Sequence, residues 1–310
     1  MNGSKNELAE IIAGLKATQK KISPKFFYDE RGSQLFDDIT RLPEYYLTDT
    51  ELDIMQSHVA EIAELVGPEA SLIEFGSGSS TKTRVLLENL TSLAAYVPVD
   101  ISEEQLLESA RQIREEFPHI EVLPVVADFT RTFDLPSPTV MPLRNIVYFP
   151  GSTLGNLEHN DALALLGVMH RVAGADGALL IGVDLQKDPE IISAAYNDSA
   201  GVTAEFNLNM LRRINNDFDA DFDLDAFEHH AKYDPDKGRV VICLLSSRDQ
   251  VVHIGGETIS IASGERILTE YSHKYTLAGL AAMAEKSGFR VAKVWTDADK
   301  LFSVQYLTRD

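Results

Sequence analysis

The sequence carries, at residues 71–82, Ser71-Leu72-Ile73-Glu74-Phe75-Gly76-Ser77-Gly78-Ser79-Ser80-Thr81-Lys82. The first five residues predict a buried strand, and the glycine- and serine-rich remainder predicts a turn that opens a helix near 80–91. Glycines in such a turn let the backbone approach a ligand closely, and a helix N-terminus favours negative charge. The turn is not a P-loop, and it is not Gly-x-Gly-x-x-Gly because position 81 is Thr. We predict a ligand-binding loop here, with a plain tight turn as the alternative.

Strands and helices alternate on the C-terminal side of this unit. We predict strands at 71–75, 95–99, 122–126, 145–149 and 178–183, a helix capped by Ser102 and Gln105 as a capping box, and a helix at 159–173. Such alternation predicts a parallel sheet covered on both faces. Ligands of these folds bind beyond the carboxyl ends of the strands. Those ends carry Gly76, Asp100, Asp128 and Gly151.

The alternation stops near residue 187. A helical face is predicted within 7–20, helical and acidic structure at 190–230, short strands within 239–262, a helix at 276–287, and strands near 290–296 and 302–308. The simplest account is a sheet domain of 48–186 plus 274–310. A second, mixed α+β domain of 1–47 plus 187–273 would interrupt it and bind the substrate.

Two acidic residues indicate the cofactor. Asp100 ends the second predicted strand, 22 residues after Gly78, where a carboxylate accepts hydrogen bonds from ribose hydroxyls. A nicotinamide cofactor shares that spacing, so an oxidoreductase is an alternative. Asp128 and Phe129 follow the third strand and suit an adenine. The Asp128 carboxylate can accept a hydrogen bond from the exocyclic amine, and the Phe129 ring can pack on the face of the base. This order of loop and acids is that of the Rossmann-like α/β sheet of class I methyltransferases, which bind S-adenosylmethionine. The competing interpretation is that both acids only cap helices.

Composition narrows the class of partner. The formal net charge is −20, from 28 basic and 48 acidic side chains, which disfavours nucleic acid and anionic membranes and favours a small molecule. Cys243 is the only cysteine and lies in an apolar run, which indicates a core strand and a reducing, cytoplasmic compartment. No signal peptide or stretch of about 20 apolar residues is found.

We predict no metal site. Acidic residues within 217–228 match the spacing of a calcium loop, but Phe222 stands where that loop needs glycine. A solvated acidic loop with Phe218 and Phe222 pointing inward is expected instead.

Longer motifs resemble one family over nearly the whole chain. The motifs are Tyr28-Asp29-Glu30-Arg31-Gly32-Ser33, Phe36-Asp37-Asp38-Ile39-Thr40-Arg41-Leu42-Pro43-Glu44-Tyr45-Tyr46, Gly151-Ser152-Thr153-Leu154-Gly155-Asn156, Ala195-Tyr196-Asn197-Asp198-Ser199-Ala200-Gly201-Val202-Thr203 and Leu268-Thr269-Glu270-Tyr271-Ser272. Together with the Gly76–Gly78 loop, they resemble the histidine Nα-methyltransferases of ergothioneine biosynthesis. Members of that family convert histidine to its trimethylated betaine, hercynine.

The resemblance implies a role for each motif residue. The implied cofactor residues are Tyr28, Gly76, Lys82, Asp100, Asp128 and Phe129. Tyr45, Asn156 and Tyr196 would hold the carboxylate and amine of the substrate, Gly151 and Thr153 would line the path to the sulfonium methyl, and Phe36 would pack nearby. Glu270 and Ser272 would bind the imidazole. Ile242 stands where the family has Met, which leaves another aromatic amino acid as an alternative substrate. We expect a monomer that acts on a small-molecule amino acid substrate, without nucleic acid or membrane.

The chemistry of these residue types agrees with the resemblance. Methylation of an amine needs an uncharged nitrogen aligned with an electrophilic carbon, and alignment supplies about 7–11 kcal/mol in favourable cases. Tyr and Asn bind a carboxylate without adding fixed charge. An imidazole has two nitrogens for Glu270 and Ser272 to share, whereas an indole has one N–H. Each residue also has a plain structural interpretation, as a half-buried aromatic, a turn residue or a solvated strand position.

Overall fold

The computed structural model describes residues 4–78 and 81–309. Ser79 and Ser80 of the predicted ligand loop lie outside the described residues. The α-helices are α1 Lys5–Lys16, α2 Glu30–Ile39, α3 Tyr46–Val66, α4 Thr81–Asn89, α5 Glu103–Glu116, α6 His159–Ala173, α7 Pro189–Ala195, α8 Val202–Phe218 and α9 Leu277–Lys286. The strands are β1 Ala70–Phe75, β2 Ala95–Asp100, β3 Val125–Val126, β4 Arg144–Phe149, β5 Ala178–Asp184, β6 Phe227–Asp234, β7 Arg239–Ser246, β8 Gln250–Ile254, β9 Glu257–Ile261, β10 Arg266–His273, β11 Phe289–Thr296 and β12 Phe302–Arg309.

The described chain divides into two compact units. Unit 1 comprises Met1–Tyr46 and Lys187–His273, and unit 2 comprises Leu47–Gln186 and Lys274–Asp310. These boundaries lie one residue from the predicted division near residue 47, and at the predicted residues near 187 and 273.

Unit 2 is built on a seven-stranded sheet of order β11-β12-β5-β4-β1-β2-β3. The strands from β5 to β3 run parallel, and β12 is antiparallel to both β5 and β11. One face of β1 places Ile73 and Phe75 in an apolar core that includes α6 and α9. The other face carries Glu74, which is buried like its apolar neighbours. Because β1, β2 and β4 run parallel, their carboxyl ends lie along one edge of the sheet.

Helix α3 is tied to the sheet of unit 2 by its last turn. Arg144 Nε donates to the carbonyl of Val66 at 2.9 Å, and Tyr306 Oη donates to the carbonyl of Leu65 at 2.9 Å. These side chains satisfy carbonyls that lack helical partners at a C-terminus.

Unit 1 combines helices with two small antiparallel sheets, β10-β7-β6 and β8-β9. Its core packs Ile11 and Leu15 of α1 with residues of α2, α8 and the strands. Ser4 and Glu7 form a reciprocal capping box that starts α1. The apolar face predicted for the first helix, which includes Ile11 and Leu15, is thus confirmed, although the helix ends at Lys16 and not at residue 20.

Three local predictions are wrong. The Ser102 side chain makes no capping hydrogen bond, and the Ser102 backbone N–H donates to the Asp100 carboxylate at 2.9 Å. Helical structure ends at Phe218 in α8 and at the short turn Leu224–Ala226, and β6 follows where helix was expected up to residue 230. The strand predicted at 122–126 is shortened to β3 at Val125–Val126, with one isolated parallel bridge between Val122 and Tyr96.

Candidate active site

The glycine loop of unit 2 has the backbone that its sequence requires. Gly76 and Gly78 adopt φ values of +73° and +38°, a region that side chains disfavour. The Gly76 N–H donates to the carbonyl of Val99 in the neighbouring strand at 2.8 Å. A Cβ built at Gly78 would meet only the Gly76 carbonyl, at 3.9 Å. The loop therefore exposes backbone that a ligand can approach closely.

Asp100 lies at the end of β2 beside this loop. Its carboxylate accepts from the backbone N–H of Ser102 at 2.9 Å, and the backbone N–H groups of Ile101 and Gly78 also favour its charged form. Burial raises the pKa of Asp100, and these three N–H groups oppose the rise. A carboxylate has about four acceptor positions, so these bonds leave capacity for ligand hydroxyls.

Asp128 and Phe129 follow β3. The ring of Phe129 stacks on Phe75 with centroids 5.4 Å apart, and lies 3.6 Å from a Cβ built at Gly76. Phe129 thus borders the glycine loop. Asp128 is partly exposed and accepts from the backbone N–H and hydroxyl of Thr130 at 3.0 and 2.5 Å. These bonds to Thr130 are those of a residue that stabilises its own turn. They leave Asp128 just beyond the end of β3, where the predicted adenine would lie.

Lys82 of α4 pairs with a glutamate that the sequence analysis missed. Lys82 Nζ forms an ion pair with Glu51 of α3, whose side chain is 1% exposed. The same carboxylate accepts from the Gly151 N–H at 3.1 and 2.9 Å. Glu51 therefore joins the helix after the glycine loop to the loop after β4. The clue in the sequence is that position 51 falls on the buried face of α3 with Leu47, Ile54 and Met55.

Glu74 is a second missed carboxyl group. It is buried in β1 and accepts from Thr83 Oγ1 at 2.7 Å and from the hydroxyl of Tyr96. Burial raises the pKa of Glu74 to about 7, although both hydrogen bonds lower it. Glu74 thereby ties the first turn of α4 to the sheet beneath the glycine loop.

The loop that begins at Gly151 contains further predicted site residues of unit 2. Gly151 and Ser152 both adopt positive φ, of +80° and +59°. Ser152 Oγ accepts from the Asp184 N–H at 3.0 Å, and Thr153 Oγ1 donates to the Pro150 carbonyl at 3.1 Å. Asn156 ends the short 3₁₀ helix Thr153–Asn156. The loop is thus held from β5 and from Glu51, and its strained backbone fits a functional role.

In unit 1, the predicted aromatic residues form a continuous chain of contacts. The ring of Phe36 lies 5.8 Å from Tyr28 and 6.4 Å from Tyr45, measured between centroids. Tyr45 in turn lies 6.4 Å from Tyr196, edge to face. Tyr28, predicted as a cofactor residue, therefore belongs to unit 1, whereas the other predicted cofactor residues belong to unit 2.

Tyr196 joins this chain to β10. Its hydroxyl and Ser272 Oγ are 2.7 Å apart, and both side chains are buried. Glu270 lies two residues before Ser272, so both side chains are on the same face of β10. Ile242 pairs with Glu270 across the sheet. The structure thus brings together Phe36, Tyr45, Tyr196, Ile242, Glu270 and Ser272, which were all predicted for the substrate.

Other predicted features have plain outcomes. Among residues 4–78 and 81–309, no group of three or more His, Cys, Asp or Glu side chains is arranged to hold a metal ion. Phe218 and Phe222 of the acidic loop are buried, as predicted. Cys243 is a buried free thiol in β7, also as predicted. In the same described part of the chain, no helix combines the length and the apolar character needed to cross a membrane.

The residues of unit 2 fit S-adenosylmethionine. The glycine loop presents approachable backbone, Asp100 offers acceptors for hydroxyls, and Phe129 supplies an apolar ring next to Gly76. This donor and acceptor set also suits a dinucleotide, so the geometry alone does not choose between the two cofactors.

Comparison with known proteins makes that choice. Residues 7–309 match the model of a family described as histidine-specific methyltransferase, SAM-dependent. A histidine N-alpha-methyltransferase of Mycolicibacterium smegmatis is 39% identical over 305 residues, which cover 97% of this chain and 94% of that protein. The ergothioneine biosynthesis protein 1 of Neurospora crassa is 32% identical over 285 residues, covering 89% of this chain and 32% of that protein.

The fold has solved counterparts. An S-adenosylmethionine-dependent methyltransferase of Clostridium acetobutylicum superposes with a TM-score of 0.51 at 10% identity, covering 89% of this chain and 98% of that one. This likeness confirms the predicted class I methyltransferase fold, and the family match contradicts the nicotinamide oxidoreductase alternative. The chain belongs to the family of histidine-specific, S-adenosylmethionine-dependent methyltransferases.

Proposed function

We propose that this enzyme transfers methyl groups from S-adenosylmethionine to the α-amine of L-histidine, within ergothioneine biosynthesis. The observation that carries the substrate assignment is the contact of Tyr196 with Ser272 on one side and Tyr45 on the other. It places polar groups suited to an amino acid beside a strand face that also carries Glu270. The family match and the named activity of the mycobacterial relative support the same assignment.

Tyr45 and Tyr196 are proposed to bind the carboxylate and amine of the substrate. A phenol hydroxyl both donates and accepts, and it carries no charge at neutral pH. The α-amine therefore meets no fixed anion that would hold it protonated. Asn156, which belongs to unit 2, is assigned to the same role from its motif alone.

Glu270 and Ser272 are proposed to bind the imidazole. A carboxylate only accepts and so can take one imidazole N–H, while the Ser272 hydroxyl can donate to the other nitrogen. Because the Ser272 hydroxyl also contacts the Tyr196 hydroxyl at 2.7 Å, recognition of the ring and of the amino acid end is coupled. A substrate without a second ring nitrogen would leave one polar group unpaired, which lowers its affinity.

In unit 2, the glycine loop, Lys82, Asp100, Asp128 and Phe129 are proposed to hold the cofactor. When bound, it supplies an electrophilic methyl group on a cationic sulfur. The enzyme's own residues orient both reactants and leave the amine its lone pair, which is the main requirement of an in-line displacement. Gly151 and Thr153 are proposed to line the approach of the methyl group.

We further propose three successive transfers, which give the betaine. Each transfer keeps the carboxylate and the imidazole unchanged, so the contacts assigned to Tyr196, Glu270 and Ser272 serve all three substrates.

The test is steady-state kinetics with a panel of amino acids, following release of S-adenosylhomocysteine. Histidine is expected to have the highest kcat/KM, and Nα-acetylhistidine, whose amine is blocked, is expected to be inert. Faster turnover of tryptophan or tyrosine would instead support the alternative substrate class. The observation in its favour is that the β-branched Ile242, in place of the Met of the family pattern, pairs with Glu270 across the sheet.

The remaining proposals concern partners. We propose that the enzyme acts as a monomer on small molecules, without nucleic acid or membrane, since its net charge of −20 repels polyanions. Light scattering at working concentration tests the monomer. A cytoplasmic location stays a prediction from cysteine usage.

A further inference from the structure

His229 of β6 lies at the centre of a hydrogen-bond chain that ends on Tyr196. Its Nε2 is 2.8 Å from the Tyr196 carbonyl oxygen, and its Nδ1 is 2.9 Å from Asn207 Nδ2. Asn207 of α8 is 1% exposed, and its Nδ2 also donates to the Cys243 carbonyl at 3.0 Å. The chain therefore runs from β7 through α8 and β6 to the backbone of Tyr196.

The two ends of this chain fix the proton on His229. A carbonyl oxygen only accepts, so the Asn207 amide nitrogen must face Cys243, and its second N–H faces Nδ1 of the ring. Nδ1 is then the acceptor, and the proton sits on Nε2, where the Tyr196 carbonyl receives it. In the other tautomer, unprotonated Nε2 and the Tyr196 carbonyl oxygen would be two acceptors 2.8 Å apart with no proton between them. Turning the Asn207 amide over would do the same at Cys243.

The environment keeps the ring neutral. Burial lowers the pKa of His229, and the neighbouring His230 lowers it further, against the Tyr196 hydrogen bond and Asp198, which raise it. A second proton, on Nδ1, would point at the N–H of Asn207. The imidazole therefore acts as a fixed, single donor.

The hydrogen bond from His229 matters because Tyr196 lies at the end of a short helix. It is the C-terminal cap of α7, a helix of seven residues, and its backbone N–H makes a long bond of 3.3 Å to Ser193. Asn197, the next residue, donates to the Ala231 carbonyl of β6 at 3.2 Å. Strand β6 thus holds the end of α7 at two successive residues, and the bond from His229 sets the peptide from which the Tyr196 ring projects toward Ser272.

We propose that His229, held by Asn207 as the Nε2–H tautomer, is a positioning residue that sets Tyr196 for amino acid binding. The proposal rests on the proposed function, in which Tyr196 contacts the substrate. His229 acts through Tyr196 and not on the substrate or the cofactor. Its loss should therefore change the KM for histidine while leaving affinity for S-adenosylhomocysteine unchanged.

Two variants of His229 distinguish the effect of losing the hydrogen-bond donor at the Nε2 position from the effect of losing the imidazole ring. In His229→Gln the amide nitrogen can reach the position of Nε2, whereas in His229→Asn it reaches only that of Nδ1. We expect His229→Asn to raise the KM for histidine about tenfold, the effect of one lost hydrogen bond at a binding group, and His229→Gln to stay within about threefold of the unmutated enzyme. Thermal melting and titration with S-adenosylhomocysteine show whether each variant is folded.

A double-mutant cycle then tests whether the effect passes through Tyr196. Combined with Tyr196→Phe, which lacks the hydroxyl, His229→Asn should raise the KM by less than about twofold, because the positioned group is already gone. An equal increase in both backgrounds, or none in either, overturns the proposal.

Imidazole ¹⁵N NMR of the unmutated enzyme gives a readout that does not depend on turnover. A protonated Nε2 and unprotonated Nδ1 at neutral pH support the proposal, and the opposite tautomer or a doubly protonated ring overturns it. If the unmutated enzyme does not turn over histidine, the proposed function fails and the role given to His229 fails with it. Turnover with an additive cycle overturns the role of His229 alone.

Discussion

Glu74 shows how one buried carboxyl group can make the cofactor loop sensitive to pH. Its folded pKa of about 7 lies above the ordinary value of 4.5, because burial disfavours the charge more than the hydroxyls of Thr83 and Tyr96 favour it. The folded enzyme thus binds this proton more tightly than the unfolded chain does. The stability that Glu74 contributes is complete below pH 4.5 and is lost as the pH rises through 7.

Glu74→Gln removes that dependence. Between about pH 5 and pH 8 the free energy of unfolding of the unmutated enzyme should fall relative to the variant, by up to about 3 kcal/mol. Urea melts across this range measure the difference, with the exposed Glu104→Gln as the control. Parallel curves for Glu74→Gln and the unmutated enzyme would contradict the account.

Glu270 is proposed to set the preference of the enzyme for an imidazole side chain. Glu270→Gln keeps the size of the side chain but offers only one accepting oxygen and adds a donor. We expect the KM for histidine to rise about tenfold or more, while the kinetic constants for tryptophan, tested as a comparison substrate, change by less than about threefold. Parallel kinetics on the two amino acids measure both effects. Higher turnover of histidine by the variant would show that Glu270 does not bind the ring.

At the scale of elements, Glu51 of α3 joins three parts of the cofactor region. It pairs with Lys82 of α4, accepts from Gly151 after β4, and occupies space left by the missing side chain of Gly182 in β5. A Cβ at Gly182 would lie 1.9 Å from Glu51 Oε1. Breaking one partner of a buried ion pair leaves the other charge uncompensated, which costs about 3–5 kcal/mol.

Glu51→Gln should therefore weaken binding of S-adenosylhomocysteine by about tenfold or more, since Lys82 loses its ionic partner. Calorimetry measures the affinity, and the exposed Asp53→Asn on the same helix is the control. Equal affinities of the two variants for S-adenosylhomocysteine would show that Glu51 does not contribute to cofactor binding.

Gly182→Ala tests the same contact from the other side. The added methyl must displace Glu51, so we expect a loss of about 1–3 kcal/mol in unfolding free energy together with weaker cofactor binding. Gly167→Ala in α6 is the matched control, since its Cβ would meet only Arg171 at 3.8 Å, and it should be neutral or stabilising. If Gly182→Ala is as stable as this control, then β5 and Glu51 accommodate the added methyl group without a loss of unfolding free energy.

The elements also show what the sequence could and could not predict. Apart from the shortened β3, the strands of unit 2 and the residues at their carboxyl ends were predictable, since the apolar runs and the following Gly76 and Asp100 are local signals. Strand β6 was not, because its pattern of Phe227, His229 and Ala231 follows an acidic segment that fits helical spacing equally well. With β6 misassigned, the face that places His229 against Tyr196 could not be recognised. Glu51 and Glu74 were missed because their partners lie far away in sequence.

At the scale of the whole molecule, the chain consists of two units with separate cores and separate sets of predicted ligand residues. The predicted cofactor residues, except Tyr28, belong to unit 2. The residues proposed to bind the imidazole, Glu270 and Ser272, belong to unit 1, whereas Gly151, Thr153 and Asn156 of the predicted substrate set belong to unit 2. A ligand that binds only the folded state stabilises it by mass action.

S-adenosylhomocysteine at about 100 times its Kd should add about 2.7 kcal/mol of stability, which corresponds to a rise in Tm of roughly 4–7 °C. NADH at the same concentration should leave Tm unchanged. Differential scanning fluorimetry makes the comparison, and a rise with NADH alone would favour the dinucleotide interpretation that the family match contradicts.

The α-amine of histidine is proposed to receive the methyl groups. Incubation with histidine and S-adenosylmethionine carrying a CD₃ group, followed by tandem mass spectrometry, locates each transferred group. We predict a product with three labelled methyl groups, all lost with the amine as labelled trimethylamine, and an unlabelled imidazole fragment. Label on the imidazole, or no transfer to histidine at all, would contradict it.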